Sequence, residues 1–171
     1  MATAQDTMAG AAGREAESGA ARLLATLRKG LFALMAIACL GTGAELALLG
    51  HYEDVWQWVP LVLLGLGAIA AILVLARPTR GTLRTFQGVM LLFVAAGGLG
   101  LYLHYKGNME FELEMVPELA GLELIKKTLT GATPALAPGT MAQLGLFGLA
   151  ATFRHSLLRS RTAQGNHEEG K

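Results

Sequence analysis

Residues 30–50 read GLFALMAIACLGTGAELALLG and residues 58–76 read WVPLVLLGLGAIAAILVLA. Each stretch matches the roughly 20 apolar residues that a helix needs to cross about 30 Å of hydrocarbon. Only Glu45 interrupts the first. Neither alternates in and out as a barrel strand does, and lipid leaves no other way to satisfy the backbone, so both read as spanning helices. The apolar run resumes after Glu45, which argues for an uncleaved first span over a secretory signal.

Working outward, residues 85–103 and 138–157 repeat the pattern, the last interrupted by Gln143. The expected fold is an all-α membrane protein: a four-transmembrane-helix bundle over residues 30–158, with a long outer loop at 104–137 containing an amphipathic helix. Residues 1–21 are small and polar, lack aromatics and cannot build a core, so a mobile cytoplasmic N-terminal segment is expected over residues 1–29, with a cytoplasmic tail at 159–171. Composition agrees. The chain of 171 residues is 53% hydrophobic and 16% charged, with mean hydropathy +0.44, whereas soluble domains carry about 25% charged residues. A net charge of +1 gives no footprint for nucleic acid. The single cysteine, Cys39, excludes an internal disulfide and reads as a small buried residue.

Small residues recur within the spans at Gly43 and Ala47, Gly67 and Ala71, Ala96 and Gly100, and Gly145 and Gly148. Such positions let helix backbones approach closely, within one chain or between copies. Tyr52, Trp56, Trp58, Tyr102 and Tyr105 gather at one set of span ends, as an aromatic belt would. Of the 14 Lys and Arg residues, 11 fall on the opposite side, leaving Lys106, Lys126 and Lys127 with the long loop. That asymmetry predicts that both termini are cytoplasmic, and the glycine-, alanine- and leucine-rich composition suggests a bacterial inner-membrane protein.

Within the outer loop, Asn108 to Met115 (NMEFELEM) alternates acidic and apolar residues, a period-two pattern that predicts an extended stretch. Glu110, Glu112 and Glu114 would then line one face as a partner-contact surface. From Pro117 to about Thr130, Leu119, Leu122, Ile125 and Leu129 share one face of a predicted helix, which would lie on the outer membrane surface or cap the bundle.

Glu45 is the most informative polar position, because an intramembrane carboxylate is costly and by default functional. Gln143 falls at a similar depth, so the pair forms either a ligand- or proton-binding site or a structural polar clamp. His51 and His104 end spans on the outer side. With Glu53 and Asp54 they offer nitrogen and oxygen ligands for a metal, and the two histidines would also suit haem. No HxxxH, CxxCH or HExxH spacing accompanies them, so no cofactor is expected outright. No phosphate loop or nucleophile elbow occurs, and no enzymatic activity is expected.

A carboxylate in the first of four spans is similar to the arrangement in small multidrug-resistance transporters, which exchange protons for cationic drugs. The resemblance stops at Glu45, since those proteins are shorter and have tight loops. The expectation is therefore a non-catalytic accessory or assembly subunit of a membrane complex, in contact with the bilayer and with a membrane-protein partner or further copies of itself. A small proton-coupled transporter using Glu45 is the alternative, and an electron-transfer protein using His51 and His104 the third.

Overall fold

The computed structural model describes residues 4–131 and 133–159, and the tail expected beyond them lies outside the described residues. Among the described residues six helices follow in order: α1 (Ala4–Leu48), α2 (Val55–Ala76), α3 (Arg80–Met115), α4 (Gly121–Leu129), α5 (Gly139–Thr152) and α6 (Ser156–Arg159). Among the described residues there are no strands. Three helices, α1 from Ala11, α2 and α3, are long and apolar enough to cross a membrane. At 14 residues α5 measures about 21 Å, short of the ~30 Å of hydrocarbon.

Of the segment expected as mobile, residues 4–29 form the first part of α1, which runs unbroken for 45 residues. Its alanines (Ala9, Ala11, Ala12, Ala16, Ala20, Ala21 and Ala25) are the strongest helix formers, and they carry the helix through Gly13 and Gly19. The side chains from Ala11 to Leu27 are exposed, so this part is helical without contributing to a core.

Short turns set the order of the next helices. Asp54 caps α2 by accepting the Trp56 N–H at 2.8 Å, while Gln57 Oε1 accepts the Asp54 N–H at 3.3 Å and the Glu53 N–H at 2.8 Å. This capping box starts the helix three residues earlier than the apolar run alone implies. Thr79 caps α3 in the same way, accepting the Thr82 N–H at 3.1 Å. Helix α1 packs on α2, α2 on α3 and α3 on α5, with a smaller α1–α5 contact closing the group.

The core among these helices holds Phe32, Leu64, Leu83, Phe86, Met90 and Phe93, all buried, with Cys39 beside them. Phe32 and Phe86 meet edge to face, ring centroids 5.1 Å apart. Small residues allow the close approaches. A Cβ at Gly97 would lie 2.5 Å from the Ala142 backbone nitrogen, and one at Gly145 would lie 2.6 Å from the Met90 carbonyl oxygen. Gly67 sits against Phe93 and Cys39, Gly100 against Pro138, and Gly148 against Met90. Outside, Leu34, Ile37, Val62, Ile69 and Leu91 are exposed, an inside-out pattern suited to lipid.

Two further expectations are corrected. The acidic-apolar stretch from Asn108 to Met115 is not extended; α3 continues through it. An isolated strand would leave its backbone groups unpaired, whereas the helix satisfies them internally. The alternation also suits a helix, since Met, Glu and Leu are good helix formers and Lys106 pairs with Glu110 one turn on at 3.4 Å. The helix expected from Pro117 begins only at Gly121. Residues 116–120 reverse the chain, Leu119 N–H bonds the Val116 carbonyl, and Gly121 takes φ +61°, a conformation glycine adopts freely.

Candidate functional site

The far end of α3 and the whole of α4 form a helical hairpin, and one buried side chain holds it together. Asn108, only 4% exposed, donates from Nδ2 to the carbonyls of Thr128 (2.9 Å) and Thr133 (2.7 Å). Its Oδ1 accepts the Thr133 N–H at 3.2 Å and the Thr133 hydroxyl at 2.6 Å. Every hydrogen-bonding position of the amide group that faces the returning chain is thus occupied. Sequence reading placed Asn108 merely at the start of an acidic stretch and missed this role. A lone asparagine within a run of helix formers was the available signal.

The hairpin leaves an apolar side uncovered. On α3, Tyr102, Tyr105, Met109 and Leu113 recur every three or four residues and so share one side, Tyr102 exposed and the others half-buried. On α4, Leu122, Ile125 and Leu129 do the same, Leu122 being 85% exposed. Leu129 joins Leu101, Tyr102, Tyr105, Ala135 and Leu136 around a groove of about 400 Å³, which places the two stripes on the same flank. Lower down, between α2 and α3, Trp58, Val62, Leu92, Ala95 and Leu99 help to line a second apolar groove of about 480 Å³. Neither groove presents a polar group that could orient a small substrate.

The residues singled out in the sequence are dispersed. Glu45 and Gln143 are both exposed. Asp54 is spent on the α2 cap. His104 Nδ1 lies 3.3 Å from the Pro134 carbonyl, and His51 is half-buried in the turn after α1. Among the described residues no three His, Cys, Asp or Glu side chains group as a metal site would require, so His51, His104, Glu53 and Asp54 are not brought together as such a set. Of the three loop carboxylates, Glu110 and Glu114 are exposed, and Glu110 is the one that pairs with Lys106.

At the opposite end, non-local polar bonds hold α5. Gln87 Nε2 donates to the Thr152 hydroxyl at 3.0 Å, and Arg28 Nη2 donates to the Phe153 carbonyl at 2.7 Å. These contacts end the fourth apolar segment at Thr152, earlier than the expected residue 157. Arg154, at φ +49°, turns the chain into α6. Burial, with a smaller contribution from the nearby Arg28 charge, pushes the His155 imidazole below its usual pKa.

These features define the chain as an all-helical protein with three helices of membrane-spanning length and apolarity. No family model, curated protein or solved structure matches it.

Proposed function

We propose that the protein is a non-catalytic accessory or assembly subunit of a bacterial inner-membrane complex, and that its outer hairpin is the docking element. The observation that carries this reading is the length of α3. Its 36 residues measure about 54 Å, well beyond the ~30 Å of hydrocarbon, so its last turns and α4 stand clear of lipid. There Leu122, at 85% exposed, Met115, at 68%, Phe111 and Ile125 face water unless a partner covers them. The filled interior and the purely apolar grooves fit a scaffold better than a chemical centre.

Four crossings, with both termini cytoplasmic, belong to the same reading. The returning segment meets His104 at Pro134 and Arg28 at Phe153. Antiparallel to it, α3 rises from Arg84 to His104, about 30 Å at 1.5 Å per residue. The turn before α5 therefore supplies the length that the helix itself lacks. The cation asymmetry supports this orientation.

The test is purification from native membranes in mild detergent, comparing the native chain with Leu122→Asp/Ile125→Asp. A defined partner that accompanies the first and is lost from the second, with helicity unchanged, supports the reading. A native chain that purifies alone overturns it. A second reading, proton-coupled transport, draws on one observation: Glu45 is an exposed, unpartnered carboxylate on an apolar helix. Transport that survives Glu45→Gln would remove that reading.

A further inference from the structure

We propose that Arg28, Arg80 and Arg154 form a binding site for the phosphate group of an anionic phospholipid at the end of the helices opposite the hairpin. Two guanidinium groups from different helices bond the turn at Phe153 and the short helix α6 that follows it. Arg28, from α1, bonds the Phe153 carbonyl at 2.7 Å, and Arg80, at the start of α3, reaches the Leu158 carbonyl at 3.5 Å. Arg154 lies inside that turn, held at φ +49°, a conformation that costs a non-glycine residue about 1–2 kcal/mol.

The donors are under-used. The Arg80 contact is long, and its Nε is buried with no partner at all. A buried donor left unpaired costs about 1–3 kcal/mol. Nor, among the described residues, does any carboxylate pair with these guanidinium groups. Among the described residues the one ion pair is Lys106–Glu110, at the hairpin end. Glu15 and Glu17 precede Arg28 by 11 residues or more, about 16 Å along α1.

Arginine forks match phosphate oxygens in geometry as well as charge. Basic pockets between helix ends on the cytoplasmic side are suited to lipid headgroups. The surroundings favour a lipid over a free ion. Phe153 is 69% exposed beside the Arg28 contact, and Leu27 and Leu31 flank Arg28 on α1, so acyl chains would have apolar surface beneath the phosphate. The inference goes beyond the accessory reading and needs no protein partner.

The experiment uses the full chain in detergent. Lipid retained through purification is measured by mass spectrometry, and thermal unfolding is followed with phosphatidylglycerol, phosphatidylcholine or inorganic phosphate added. Retention and a raised Tm with phosphatidylglycerol alone are expected, with a tenfold or greater loss of retention in Arg80→Gln/Arg154→Gln. Arg28 is left in place because it holds Phe153. Unchanged hydrogen exchange at Thr133 in the double variant shows that the fold persists. Equal retention of both lipids, or full retention by the folded double variant, overturns the site. Equal protection by inorganic phosphate supports the anion site and overturns the lipid as its source.

Discussion

Replacing Asn108 with alanine should release the outer hairpin while leaving the helices beneath it intact. The substitution removes four hydrogen bonds, at 2.9, 2.7, 3.2 and 2.6 Å, and leaves the Thr128 and Thr133 carbonyls and the Thr133 N–H without their partner. A single such bond is worth about 0.5–1.5 kcal/mol net, and each buried group left unpaired costs about 1–3 kcal/mol. Water reaches part of this turn, since Thr133 itself is exposed. A local cost of about 3 kcal/mol is therefore the working figure. At about 1.4 kcal/mol per factor of ten, this raises local opening by roughly 150-fold. Hydrogen exchange read by mass spectrometry should show peptides covering residues 121–137 losing protection by that factor. Peptides from α2 and the first half of α3 should not change. Asn108→Asp should fare no better, because a carboxylate cannot donate to the two carbonyls. Unaltered protection at 121–137 would refute the reasoning. So would a loss spread equally over α2, since that would make Asn108 part of the global core and not a local pin.

Other substitutions separate close helix contacts from open surface. Gly145→Val, which drives a side chain into the Met90 carbonyl, should cost about 2–3 kcal/mol and lower Tm in detergent. Gly88→Ala, with nothing within 4 Å of the new methyl, should hold Tm or raise it by up to the ~1 kcal/mol difference in helix propensity. Asp54→Ala removes the α2 cap and should cost about 1 kcal/mol, seen as fraying of residues 55–58 in hydrogen exchange. His155 titrates below the ordinary histidine value of 6.5 in the folded chain, so the unfolded chain takes up the proton first. Stability should therefore be complete above that value and fall as pH drops through it, and His155→Gln should flatten that part of the profile.

How far the sequence could be read depended on whether each cause was local. Apolar runs of membrane length mark α1, α2 and α3 without reference to the rest of the chain. The small residues at Gly67, Gly100, Gly145 and Gly148 likewise mark close approaches, although not their partners. The stretch MEFELEM misled because alternation at period two overlaps with a helical repeat. Met109 and Leu113 fall on one side of a helix just as they would on one face of a strand. What decides between them is Asn108, fixed by groups 20 and 25 residues away. The end of α5 was misplaced for a similar reason. Phe153, Leu157 and Leu158 look like more span, yet guanidinium groups from α1 and α3 hold the Phe153 and Leu158 carbonyls. Glu45 and Gln143 are exposed residues whose expected similar depth does not fix their facing, because facing depends on which helices become neighbours.

The unbroken course of α1 has a mechanical consequence. From Ala4 to Lys29 it extends about 39 Å as one rod, fixed at its base by the same residues that pack on α2. Anything fastened near its tip is held at a set distance and a set angle from the other helices. Exchanging one surface residue of the rod for another helix former changes neither. Deleting a single residue shortens the reach by only about 1.5 Å but swings the tip through about 100°. The arm should therefore tolerate substitutions in its composition and resist changes in its length.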